Sequence, residues 1–297
     1  VKRPNPNVVA EVQAKVHGMV GMKAVAGQFD DLLATAKVNQ RRKEAGLPVT
    51  EDTNHLVFAG PPGTGKTTIA RELAKAYHGL GITPTDKFVE AKRSDLVGEF
   101  LGQSSPKTAR KFAEAKGGVL FIDEAYSLVN DTPGYKDPYG REAISQLIQD
   151  MENHRDDTVV IMAGYPDEMN DLMKSNPGLK SRLPKTLNFP SYSASDLDKI
   201  GRGMLREGQY VGKPGTAAKI TEATRQIANT PGHGNARDVR NLMQEVRVAQ
   251  ARRIADDPQA RLELIHPEDV DQAMRAVKSS SRVRGHKGEG RLRPVNP

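Results

Sequence analysis

Residues 56 to 68, Leu-Val-Phe-Ala-Gly-Pro-Pro-Gly-Thr-Gly-Lys-Thr-Thr, restrict the folds open to this chain more than any other stretch. A short apolar run breaks into a glycine-rich loop and then turns helical, with Ile69, Leu73, Ala76 and Tyr77 on one helical face. Gly60, Gly63 and Gly65 permit the backbone conformations that turn N–H groups toward phosphate oxygens, and Pro61, Pro62, Thr64 and Thr68 complete the loop. Lys66 supplies a point charge for the β and γ phosphates and Thr67 a hydroxyl for Mg²⁺, while the helix starting there adds the positive end of its dipole. The bare pattern G-x-x-x-x-G-K-[ST] arises by chance in about one chain of this length in a hundred. A strand before it and an amphipathic helix after it mark this copy as a nucleotide site.

The following segments keep the same alternation. Residues 87–91, 119–122, 158–163 and 186–189 read as strands, with helical patterns at 106–115, 141–154 and 167–174 between them and an irregular insertion at 127–140. Together with 56–59 they predict an α/β fold, a doubly wound parallel five-stranded sheet with helices on both faces. Upstream, Phe29, Leu32, Leu33 and Ala36 have the spacing of a buried helical face, which Gly46 and Pro48 terminate. From Ser195 onward strand signals cease, and helices are predicted at 195–207, 215–228, 235–255 and 267–278, the third with a stripe of Val239, Leu242, Met243 and Val246. The expected organisation is a polar N-terminal segment at 1–18, a nucleotide domain at 19–192, a small all-α domain at 193–278 and a disordered basic tail at 279–297.

Composition narrows the function classes. Without cysteine the chain has no disulfide, thiolate metal site or thiol nucleophile, which fits a reducing compartment. The apolar runs at 119–122 and 159–163 are far too short to span a bilayer, and no signal core follows the amino terminus. A soluble, cytoplasmic protein without membrane insertion is therefore expected; its start at Val1 rather than Met is also compatible with a piece of a longer chain. More than half of the net charge of +7 lies in the tail, where Arg282, Arg284, Lys287, Arg291 and Arg293 face Glu289 alone. No aromatic residue follows Tyr210 to stack on a base, so the tail reads as a solvated basic segment rather than a nucleic-acid contact.

Phosphoryl transfer also needs a metal anchor and a group to orient water. Asp123 and Glu124 follow the run Val-Leu-Phe-Ile, 57 residues after Lys66 and on the next-but-one strand. They fall at a strand's C-terminal end, where ligands of open α/β sheets bind. Asp123 is expected to hold Mg²⁺ through its water shell and Glu124 to orient or activate the attacking water as general base.

With these residues in place the chain resembles an AAA+ ATPase. Gly-Pro-Pro-Gly-Thr-Gly-Lys-Thr is the phosphate loop that superfamily favours, and Val20-Gly21 matches its adenine-contacting segment. The runs 94–102, 117–126, 150–153, 163–165 and 176–182 resemble one subgroup, that of the red-type Rubisco activases, type VII secretion ATPases and a sporulation ATPase. The resemblance implies an AAA+ module followed by a helical lid, ATP and Mg²⁺ as cofactors, and a homo-oligomer, expected to be a hexamer. It also assigns residues. Phe100-Leu101-Gly102 matches the pore loop that grips a polypeptide, and Arg182 matches the arginine finger reaching a neighbour's γ-phosphate, with Lys180 a second candidate. Arg237, in Gly234-Asn235-Ala236-Arg237, matches the lid's sensor 2, with Arg240 as a helper. Where many members carry a polar sensor 1, this chain has Ala163-Gly164-Tyr165, and Tyr165 is the candidate. The expected function is ATP-driven remodelling of a protein client. The alternative is a nucleic-acid-associated motor or clamp-loader-like switch using the basic tail.

Overall fold

The computed structural model of the 297-residue chain describes residues 4–49 and 53–288, with side chains described to residue 278. The chain divides between Ser191 and Tyr192 into two compact units. In the first, α1 (Pro6–Gly18) and α2 (Lys23–Glu44) precede β1 (Leu56–Ala59) and α3 (Lys66–Gly79). Then come β2 (Phe88–Ala91), α4 (Arg93–Leu96), α5 (Ser104–Ala115), β3 (Val119–Ile122) and a 3₁₀ turn at Ala125–Leu128. The unit closes with α6 (Pro138–Asn153), β4 (Val159–Gly164), α7 (Pro166–Ser175), α8 (Pro177–Arg182) and β5 (Lys185–Asn188).

The five strands form one parallel sheet in the order β2-β3-β4-β1-β5. Every residue of β1, β3 and β4 is buried, whereas the edge strands β2 and β5 are only partly so. The continuous apolar runs of the central strands follow from that two-sided cover. Alternation sorts their side chains: Val57, Ala59, Leu120, Ile122, Val160 and Met162 join Phe112, Leu147, Met151 and Leu172 in one core. Register aligns Ala59 with Gly164 and Ile122 with Met162, so the ends of β1, β3 and β4 open on the same side.

The amino-terminal segment expected at 1–18 differs from its polar reading, because α1 packs on α3 and buries Val12 and Val16. Asn5 caps it, accepting from the Asn7 N–H at 3.2 Å, and Pro6 opens it. Lys15 reaches the buried Glu72 of α3 at 2.5 Å. Burial pushes the Glu72 carboxyl up, and hydrogen bonds from Lys15 and Lys75 outweigh it, holding the group below the usual carboxylate range. Two buried valines a turn apart among polar residues are enough for a helix that rests on a larger domain.

The second unit contains α9 (Ala194–Glu207), β6 (Val211–Gly212), α10 (Thr216–Ala228), α11 (Ala236–Ile254), β7 (Leu264–Ile265) and α12 (Pro267–Gly288). Val239, Leu242, Met243 and Val246 are fully buried along α11. Two findings depart from the sequence reading. Strands β6 and β7 pair in parallel, and at two residues each they are too short to leave a periodic signal. Helix α12 runs on to Gly288, past the boundary expected at 278, because extending an anchored helix costs far less than nucleating one. The remainder of the expected tail, 289–297, lies outside the described residues. Among the described residues no helix is long and apolar enough to cross a membrane.

Candidate nucleotide site and client loop

The phosphate loop leaves the buried end of β1 and enters α3. The Gly60 N–H donates to the Gly164 carbonyl at 3.0 Å, which pins the loop to β4. A Cβ on Gly60 would stand 2.5 Å from the Phe189 carbonyl oxygen, a backbone atom with nowhere to move. Gly63 and Gly65 hold φ of 70° and 89°, the left-handed region that turns successive N–H groups inward. Lys66 Nζ donates to the carbonyls of Gly60 at 2.8 Å and Pro61 at 2.6 Å, so the ammonium lies within the loop's own curve. Thr64 is buried and donates to Pro61 O at 2.8 Å. Pro62 belongs to the turn, and Thr67 and Thr68 follow Lys66 in the first turn of α3.

Asp123 and Glu124 emerge from β3 on the same side of the sheet. Asp123 Oδ1 accepts the Glu124 N–H at 2.9 Å, a local turn that leaves the other carboxylate oxygen to outside ligands. Glu124 sits at φ 49°, ψ 46°, a conformation that costs a residue with a Cβ on the order of 1 kcal/mol or more. That turn sends the exposed Glu124 side chain away from the buried strand. Thr67 and Asp123 offer hydroxyl and carboxylate oxygens, hard donors of the kind Mg²⁺ takes, and the left-handed backbone at Gly63 and Gly65 is of the kind that turns N–H groups toward an anion. The chain's residues thus fit both ATP and Mg²⁺.

β4 ends between the phosphate-loop strand and the Asp123 strand, which places Tyr165 at the shared edge. Tyr165 is 39% exposed and its ring centre lies 6.1 Å from that of Tyr126. Gly164 makes room for the pair, since a Cβ there would come within 2.7 Å of the Tyr126 ring. Burial, then the negative charge of Glu124, pushes the Tyr126 hydroxyl up to about 12.

Val20 and Gly21 occupy the turn between α1 and α2, Val20 partly exposed and Gly21 at φ 72°. Phe100 and Leu101 are 66% and 70% exposed, on the loop 97–103 between α4 and α5. That loop is braced from several sides. Gly98 N–H donates to Ser104 Oγ at 3.0 Å and Phe100 N–H to Gln103 Oε1 at 3.3 Å. Glu142 of α6 accepts from the N–H groups of Gly102 at 3.2 Å and Ser105 at 2.9 Å, one oxygen to each, so a carboxylate also faces the positive end of α5.

Arg182 ends α8, with its Nη1 donating to Gly178 O at 3.0 Å, and Lys180 is exposed two residues earlier. In the second unit, exposed Arg237 is the second residue of α11, and Arg240 follows one turn later. Buried Asn235 sets that helix start at φ 51°, its Oδ1 accepting the Tyr192 N–H at 2.9 Å.

Sequence reasoning missed the clamp that orders the segment read as an irregular insertion. Buried Asp137 caps α6 by accepting from Tyr139 N at 3.1 Å and Gly140 N at 3.0 Å, and accepts Asn130 N at 3.0 Å. Arg93 lies 2.9 Å from its Oδ2 and donates to the carbonyls of Ser127 at 2.9 Å and Leu128 at 2.5 Å. Burial raises the Asp137 carboxyl, and these donors more than offset that rise. The Asp-Pro pair at 137–138 carried the missed signal, a cap residue before a proline at the first helical position.

Residues 56–191 match the family described as "ATPase family associated with various cellular activities (AAA)", and residues 193–280 match the AAA lid domain. The chain is similar to Protein CfxQ of Xanthobacter flavus, 39% identical over 249 residues that cover 84% of this chain and 77% of that one. It is 40% identical over 244 residues to the chloroplastic ribulose bisphosphate carboxylase/oxygenase activase of Cyanidioschyzon merolae, covering 82% and 83% of the two chains. It is 36% identical over 291 residues to the ESX-1 secretion system protein EccA1 of Mycobacterium tuberculosis, covering 93% of this chain and 51% of that protein.

Proposed function

The chain belongs to the AAA family of ATPases and hydrolyses ATP, and we propose that it couples hydrolysis to the remodelling of a protein client held in a homo-hexameric ring. The observation that carries this reading is the pair Phe100 and Leu101, two large apolar side chains standing in solvent on a braced loop. A residue that only filled space would be buried, and exposed aromatics held on ordered loops serve contact with something else.

In this reading Val20 and Gly21 take the adenine, and the loop from Gly60 to Thr68 takes the phosphates. Lys66 turns from its loop carbonyls to the β and γ phosphates. Thr67 and Asp123 hold Mg²⁺, which when bound offsets phosphate charge. Glu124 orients the attacking water. Arg182 completes the site of the adjacent subunit, a contribution worth about 10³ to 10⁵ in turnover. Arg237 reports the nucleotide state from the lid, and Phe100 passes the resulting movement to the client. The relatives named above include an activase and a secretion-system protein, and a shared motor does not transmit a client.

The test uses the Glu124→Gln protein, which is expected to bind ATP without releasing it and to retain the client. The comparison is the Glu124→Gln/Phe100→Ala double variant. A protein retained by the first and lost by the second, with ATP bound equally to both, supports the reading; equal retention removes Phe100 from client binding. ATPase stimulation by DNA or RNA that falls steeply with salt and vanishes on deletion of residues 279–297 would favour the nucleic-acid alternative instead.

A further inference from the structure

Helices α6 and α8 pack together and bring a carboxylate to the proposed finger. Glu152 Oε2 lies 3.2 Å from Arg182 Nε, and the other oxygen, Oε1, accepts from Arg155 Nη1 at 2.9 Å. The Arg182 N–H at Nε is buried and turned off the line to Oε2, so the two groups attract as charges without an aligned hydrogen bond. Nη1 is committed to the Gly178 carbonyl. The pair forms part of the wall of a cleft of about 170 Å³ whose lining also includes Thr53, Ser181 and Arg155, which gives the guanidinium room to pivot.

We propose that Glu152 is the positioning residue of Arg182: anchored by Arg155, it orients the guanidinium in its own subunit so that the finger is aimed when a neighbour's nucleotide arrives. This inference rests on the reading of Arg182 as a finger acting between subunits. Arginine carries five donors, and its partners here sit at Nε and Nη1, leaving the Nη2 group for phosphate oxygens. With 46% of the Glu152 side chain and 29% of that of Arg182 in solvent, the contact adds little to stability. Its effect therefore belongs to turnover.

The experiment mixes two full-length variants that are each inactive alone. Glu124→Gln subunits keep the finger but not the catalytic base, and Arg182→Ala subunits keep the base but not the finger. Mixed rings should regain hydrolysis at sites where the first kind serves the second. Adding Glu152→Gln to the finger-donating Glu124→Gln subunits is expected to lower that regained rate about tenfold, as loss of one charge-assisted contact would. Adding it to the Arg182→Ala subunits should leave the regained rate unchanged, since they have no finger to aim. A purely structural role would lower the rate from either side, and that outcome, or no loss on the donor side, overturns the proposal. If the parent mixture regains nothing, the finger reading itself fails and Glu152 falls with it. Melting temperatures and ATP binding of each variant show whether folding or nucleotide affinity has changed instead.

Discussion

His55, just before β1, ties three parts of the core together: Nδ1 accepts the Val160 N–H at 2.9 Å and Nε2 donates to the Met151 carbonyl at 3.2 Å. Burial lowers its pKa to about 4 from an ordinary 6.5. Between those values the unfolded chain binds a proton that the folded chain refuses. Stability is therefore complete above pH 6.5, declines as pH falls toward 4, and loses about 3 kcal/mol across that window. Urea-unfolding free energies at the two ends of the window should show this loss, and a His55→Gln variant should lack it; an equal loss in the variant would assign it to other groups. At Gly60 the limit is steric. Gly60→Ala forces the loop off the Phe189 carbonyl and is expected to weaken binding of a fluorescent ATP analogue by tenfold or more, on the order of 1 to 3 kcal/mol of overpacking. The proposed phosphate loop reads from the sequence because its residues are contiguous there. His55 does not, because its partner Val160 is 105 residues away.

At the level of elements, the loop carrying Phe100 depends on α6. Glu142 lies 40 residues beyond Gly102 and still supplies two of the acceptors that shape its turn. Glu142→Ala is expected to free two N–H groups and cost about 1 to 3 kcal/mol locally. Amide exchange should rise across residues 98–105 while the strands stay protected; unchanged exchange there would mean that Gln103 and Ser104 suffice to hold the loop. Sequence periodicity located most helices and all five strands of the sheet, since apolar residues at spacing 2 or 3.6 are a local consequence of one buried face. It passed over α1, whose apolar face is narrow, and α8, whose six residues are shorter than two turns. The β6–β7 ribbon escaped for the same reason of length.

For the whole molecule, the finger proposed to come from a neighbour would make activity a property of the assembly. Hydrolysis per subunit is expected to climb with protein concentration as subunits associate, by as much as about 10³-fold between isolated subunits and ring. Arg182→Ala should abolish that climb without changing ATP affinity. Constant activity per subunit down to concentrations where mass measurements find only monomer would contradict the shared site. The sequence by itself determined that this protein is an ATPase of the AAA family; the roles proposed for Gly60 to Thr67 and Asp123-Glu124 rest on short runs whose meaning depends on backbone freedom and residue type within a few positions. Tertiary structure alone decided how that chemistry is braced. Glu152 meets Arg182, Glu142 shapes the Phe100 loop, and Arg93 meets Asp137 only when helices distant in sequence pack on one sheet. Such contacts leave no local period, because the sequence records which face a residue takes and the fold selects its neighbour across the gap.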